Sequence, residues 1–166
     1  VLSVGKAGAV TLSGGNVSTA GTASLSGSIS GAGSLFAKSG ISIDGNGTFN
    51  NNGSSLYTQG GLTINSAVNN SGGSLIADGR FIVNTTGNIN NTNGWMQGKQ
   101  IDFIANVLTN IGGTIVSTGN GSASITAAVI ENHSGGKISA TNDTFSVITT
   151  AGDLYNESVS ITKSGA

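Results

Sequence analysis

The sequence contains no cysteine and no proline, and only 8% of its residues are charged. Without cysteine there is no disulfide framework and no thiolate metal site. Without proline nearly every backbone N–H can donate to a ladder. The formal net charge is −1, which gives no electrostatic reason to expect nucleic acid or an anionic membrane as partner. Arg80 is the lone arginine, His133 the lone histidine and Trp95 the lone tryptophan. No apolar run approaches the roughly 18 residues of a membrane-spanning helix.

What fills the chain instead is glycine, 28 of 166 residues, with Ser, Thr, Asn and small aliphatics. These polar residues are poor helix formers, and the β-branched ones favour strands. One phrase recurs. An apolar residue is followed two places later by asparagine: Phe49–Asn51, Val68–Asn70, Ile89–Asn91, Leu108–Asn110, Ile130–Asn132 and Leu154–Asn156. Its period is roughly 19 to 24 residues, within the range of solenoid repeats.

Two further alternating signals accompany each phrase. One is Leu35-x-Ala37, Leu56-x-Thr58, Leu75-x-Ala77, Met96-x-Gly98, Ile115-x-Ser117 and Ile138-x-Ala140. The other is Ile41-x-Ile43, Leu62-x-Ile64, Phe81-x-Val83, Ile101-x-Phe103, Ala123-x-Ile125 and Phe145-x-Val147. Period-two alternation marks half-buried strands. Like phrases recur only after three strands, so like stacks on like. The expected fold is an all-β, right-handed parallel β-helix of about seven to eight coils with three short parallel sheets. At one strand spacing per coil the rod is on the order of 35–40 Å long. Residues 1–166 read as one β-helical segment: irregular coils over 1–30, where Gly31 stands in place of the asparagine, and regular repeats over about 31–156. The spacing shortens again at Val159-x-Ile161. Wider turns are expected near Gly119–Ser122, at Ser134 and at Asn142–Asp143. The chain starts inside repeat-like sequence and is expected to be a fragment of a longer filament.

The row Asn51, Asn70, Asn91, Asn110, Asn132 and Asn156 is expected to be structural. Asparagine tolerates left-handed backbone and bonds nearby backbone groups. Stacked amides can also bond one another along the coil axis. A sugar-binding role for the row is weaker, because every coil carries it.

Chemistry is sparse. The seven carboxylates, Asp44, Asp78, Asp102, Glu131, Asp143, Asp153 and Glu157, fall at different stacked positions. Glycoside hydrolysis needs two that face one another. Asp78, two residues from Arg80, reads as a surface ion pair. His133 reads as a solvated turn residue, with no partners for a metal site or a nucleophilic triad. No catalytic residue, metal or cofactor is expected. One outward row is less bland: Phe36, Tyr57, Ile76, Gln97, Val116 and Ser139, with Trp95 on the same face. The apolar members Phe36, Tyr57, Ile76, Trp95 and Val116 form a candidate binding strip, since exposed apolar strips often mark interfaces.

The run Val68-Asn69-Asn70-Ser71-Gly72-Gly73-Ser74-Leu75-Ile76-Ala77-Asp78-Gly79-Arg80-Phe81-Ile82-Val83, matched again from Leu108 to Ile115, resembles the filamentous haemagglutinin repeats of large bacterial exoproteins. The resemblance covers roughly residues 29–156. It implies export by two-partner secretion through an outer-membrane transporter and a β-helical filament outside the cell. Flanking coils of the same filament, and a host or bacterial receptor or glycan, are the partners it implies. The proline-containing motifs of the family's secretion domain and a toxin domain are both missing, so the stretch reads as shaft of an adhesin or a toxin stalk. A polysaccharide-active β-helix enzyme, or a direct glycan-binding module using the strip, are the alternatives.

Overall fold

The computed structural model describes residues 1–4, 10–27, 29–30, 32–157 and 160–164. Gly31 and Val159 lie outside the described residues, as do Gly165 and Ala166. The described chain contains strands and turns and no helix, and every strand pairing is parallel. It is a β-solenoid of three rows, each with eight rungs that enclose seven turns.

The first row runs from Asn16–Thr19 through Ser55–Thr58, Ser74–Ala77 and Trp95–Gly98 to Ser160–Lys163. Its register joins Leu35, Leu56, Leu75, Met96, Ile115 and Ile138 in one inward file, and each of them is at most 1% exposed. The second row includes Thr22–Leu25, Gly40–Ile43, Gly61–Ile64 and Arg80–Asn84. Its inward pairs, such as Ile41/Leu62/Phe81/Ile101, form a second file. Phe81 meets Phe103 edge-on with centroids 4.9 Å apart. The third row carries Phe49, Val68, Ile89, Leu108 and Ile130 inward. Alternation puts every second side chain into this core and its neighbours out.

Two strands cross the corner between rows. Gln100–Thr109 and Ser122–His133 serve the second and third rows at once, which fuses the two rows into a single 12-stranded sheet. The corners over 104–106 and 126–128 contain no glycine; of the earlier corners, 44–47 contains Gly45 and Gly47 and 85–88 contains Gly87, while 65–66 contains none. Two of the three turns expected to widen do so; at Ser134 the preceding strand runs on through His133 and leaves three residues, against four in earlier coils. Four residues separate Thr114–Ser117 from Ser122–His133 and three separate Lys137–Ala140 from Thr144–Thr149, against one or two in earlier coils. The irregular start is also visible: Val10–Thr11 and Ile29–Ser30 form a two-stranded pair that is not laddered to Thr48–Asn50.

The asparagine row is a buried ladder. Nδ2 of Asn51 donates to Oδ1 of Asn70, Asn70 to Asn91, Asn91 to Asn110, Asn110 to Asn132 and Asn132 to Asn156, at 2.7–2.8 Å. The first five are 0% exposed. The same amides donate to backbone carbonyls of the following coil, those of Ser74, Trp95, Thr114 and Lys137, at 3.1–3.2 Å. The ladder asparagines do not take the left-handed angle. That falls two residues later, at Gly53, Gly72, Asn93, Gly112 and Ser134. The ladder residue turns its amide into the stack, and its neighbour turns the chain.

The ladder dictates a glycine. A Cβ on Gly113 would stand 2.8 Å from Asn91 Nδ2 and 2.6 Å from Asn110 Oδ1, and would overlap the Asn91 carbonyl. Gly73, Gly94 and Gly136 meet the same kind of obstruction. The corresponding position at the first ladder rung is Ser54. We therefore expect Gly113→Ala to destabilise the solenoid by several kcal/mol, while Ser54→Gly leaves the melting midpoint nearly unchanged. Asn91→Leu or Asn110→Leu strands buried amide partners and is expected to cost on the order of 2–4 kcal/mol. Unchanged thermal unfolding in the two leucine variants would remove the ladder from the account of stability.

Candidate binding surfaces

The outward face of the first row holds the predicted strip in one register. Phe36 sits opposite Tyr57, Tyr57 opposite Ile76, Ile76 opposite Gln97, and Gln97 opposite Val116. The Phe36 and Tyr57 rings lie 5.4 Å apart with planes tilted by 31°. Parallel in-register pairing brings like positions together one strand spacing apart. That packing also covers them: Phe36, Tyr57, Ile76 and Val116 are half-buried by their neighbours above and below, and only Trp95 is exposed, at 41%. Trp95 stands beside the strip, in register with Ser74 and Thr114, and its Nε1 donates to Gln97 at 3.2 Å. The surface is thus a flat apolar-aromatic band with one raised indole.

The carboxylates are distributed along the rod. The expected Asp78–Arg80 pair does not form. Arg80 donates instead to Asp102 of the next coil at 2.6 Å, and Asp102 also accepts from Ser124 at 2.8 Å. Residues two apart on a strand share a face and point along it, so a long side chain reaches the diagonal neighbour on the adjacent rung. Both partners are solvated, so the pair contributes little to stability. Asp78 accepts from the Tyr57 hydroxyl at 2.6 Å by the same diagonal geometry. Glu131 accepts from Thr109, Asp143 from the Gly121 N–H, and Glu157 from Tyr155. Each of these carboxylates ties two coils or two turns except Glu157, whose partner lies on its own strand. Among the described residues no three His, Cys, Asp or Glu side chains converge on a metal-sized site.

His133 is not a solvated turn residue. It ends the strand Ser122–His133, is half-buried, and meets Tyr155 edge-on at 5.3 Å. Its Nδ1 lies 3.0 Å from Ser134 Oγ. Asn142 also escapes the repeat pattern: it is fully buried, and its Nδ2 donates to the Lys99 and Asn120 carbonyls. Its only sequence signal is its place in a widened turn.

A concave feature is set in the corner between second and third rows. Two adjoining depressions lie there: the smaller, of about 90 Å³, is lined by Ser26, Gly27, Gly45, Asn46 and Ser66 with Phe49 below, and the larger, of about 540 Å³, by Ser26, Asp44, Gly45, Asn46 and Asn65. Asp44 accepts from Ser42 Oγ at 2.6 Å and from Asn65 Nδ2. These bonds, Ser42 first, hold its carboxyl below the usual carboxylate range against a small opposing effect of burial. Nothing in the repeat pattern singles this corner out, because it arises from unequal turn lengths in neighbouring coils.

The Tyr57 hydroxyl is held above its ordinary pKa, chiefly by the bond to Asp78, with weaker desolvation and Coulombic contributions in the same direction. A raised phenol pKa means that the bond's contribution is present at neutral pH and is lost as pH rises through the folded value. Asp78→Asn is therefore expected to bring one of the chain's two tyrosines toward the ordinary phenol range in a spectrophotometric titration. An unmoved titration curve would show that the Tyr57–Asp78 bond does not persist in solution.

No protein family matches this chain, nor does any curated protein or any solved structure.

Proposed function

We propose that this chain is a shaft segment of a bacterial adhesin-like or toxin-presenting filament, exported and displayed outside the cell. The observation that carries the reading is the uninterrupted inner ladder. Five amide-to-amide bonds run along the axis from Asn51 to Asn156. Repeats of this kind contact only their neighbours, so the architecture extends by adding rungs. The haemagglutinin-repeat resemblance supplies the extracellular setting. Within this reading the mechanism is stacking, and the chain is not an enzyme: Asp44, Asp78, Asp102, Glu131 and Asp143 are each engaged in bonds to a neighbouring coil or turn, where glycoside hydrolysis needs an opposed pair. Flanking coils of the same filament and an outer-membrane transporter are the partners it calls for.

The band of Phe36, Tyr57, Ile76, Trp95 and Val116 favours a second reading, direct attachment to a receptor or glycan. Trp95 provides the exposed anchor that such surfaces use.

Antibody labelling of intact, unpermeabilised cells that make the whole protein tests the first reading. Surface label, with slender rods in electron micrographs of the released protein, is expected; label seen only after permeabilisation would sink it. For the second, the purified chain is applied to host and bacterial cells beside a Trp95→Ala/Tyr57→Ala variant. Weaker binding of the folded variant would place attachment on the band, and equal binding would take it off.

A further inference from the structure

The junction between the irregular and the regular coils carries several departures from the repeat. The corner at 44–47 spans four residues where the following coil uses two, at 65–66. Among the described residues no ladder joins Ile29–Ser30 to Thr48–Asn50. Three of the four buried side-chain atoms that lack a hydrogen-bond partner among the described residues belong to this stretch: Asn51 Oδ1, Ser54 Oγ and Ser66 Oγ. Ser66 is 6% exposed and lines the depression described above. Gly45 lets the long corner lie against the coil before it, since its Cβ would stand 3.0 Å from the Ser26 carbonyl.

We propose that this corner cleft is a binding site for a neutral sugar unit, contacted through adjacent hydroxyl groups. The lining chemistry selects the class. Among the described residues no cationic side chain lines the cleft and one carboxylate does, so phosphates, uronates and sialic acids meet repulsion from Asp44. A single carboxylate, already bonded to two donors, falls short of the six to eight oxygens calcium takes. Phe49 is the one large apolar residue in the lining and is 2% exposed, so an apolar ligand has little to bury against. A polyol fits what remains: Asp44 accepts, the Asn46 and Asn65 amides both donate and accept, and the Ser66 hydroxyl does either. The larger depression, which holds Asp44, Asn46 and Asn65, has a volume of about 540 Å³, within the range of ligand pockets and enough for a terminal sugar unit. This site lies on a different face from the aromatic band and does not depend on the shaft reading.

The test is saturation-transfer NMR on the whole chain with neutral hexoses, N-acetylhexosamines, glucuronate and sialic acid as probes, each monosaccharide run beside an oligosaccharide that ends in it. At least one neutral sugar is expected to bind, with the oligosaccharide engaged through its terminal ring if the natural ligand is a glycan end. Asp44→Asn, verified as folded by circular dichroism, is expected to weaken binding about tenfold or more, roughly 1.4 kcal/mol. Asn46→Ala, an exposed position, is expected to weaken it as well. Trp95→Ala is expected to leave it intact. Silence from every neutral probe, undiminished binding in both cleft variants, or loss confined to Trp95→Ala would each overturn the assignment.

Discussion

A primary amide in a dry core must find partners for two donors and one acceptor, and the coil it belongs to cannot supply them all. The ladder solves this by borrowing from the neighbouring coil. Asn51, Asn91 and Asn110 each give one proton to the next amide and share the other between a backbone carbonyl of their own turn and one of the turn after. Buried polar groups without partners are costly, so no rung can shift by one residue without stranding an amide. The apolar files alone would tolerate some sliding, because Leu, Ile, Val and Met are similar in bulk. The ladder fixes register, and register keeps every second side chain in the core.

The same constraint explains a composition that otherwise looks permissive. The glycines at 73, 94, 113 and 136 stand three or four residues after a ladder asparagine, where a Cβ would strike the carbonyl and amide of the rung before. Another set, at 53, 72 and 112, carries the left-handed angle. Two physically distinct demands thus produce one Gly-Gly phrase. Where a demand is met otherwise or is missing, the phrase changes: Asn93 takes the left-handed angle in place of glycine, and Ser54 carries a side chain at the first rung, with no ladder asparagine before Asn51.

Much of this was legible in the sequence, because alternation and a fixed spacing determine which residues stack. The inward files, the ladder membership and the in-register aromatic band all follow from placing like on like. What escaped is what depends on direction or on differences between coils. Arg80 reaches Asp102 rather than Asp78 because side chains on one strand face lean toward diagonal neighbours on the next rung. The left-handed residue was credited to the ladder asparagine, because asparagine's two talents, backbone tolerance and amide bonding, look identical in a sequence. The corner cleft was invisible because no single repeat contains it: a long corner at 44–47 must meet shorter corners above and below.

The ladder bonds and the sheet bonds all point along the axis of the rod, and this sets how it yields to load. Tension applied at the two ends falls on the rungs in series, so each interface carries the full force and the weakest parts first. Bending instead compresses one row against a close-packed core, which resists. Such an object is stiff as a lever and sacrificial as a rope. It would lengthen by peeling whole coils in turn, each released stretch of roughly twenty residues adding on the order of 70 Å of slack. The junction coil, where among the described residues the third row lacks a ladder and Asn51 Oδ1 and Ser54 Oγ lack partners, is a natural place for that peeling to begin.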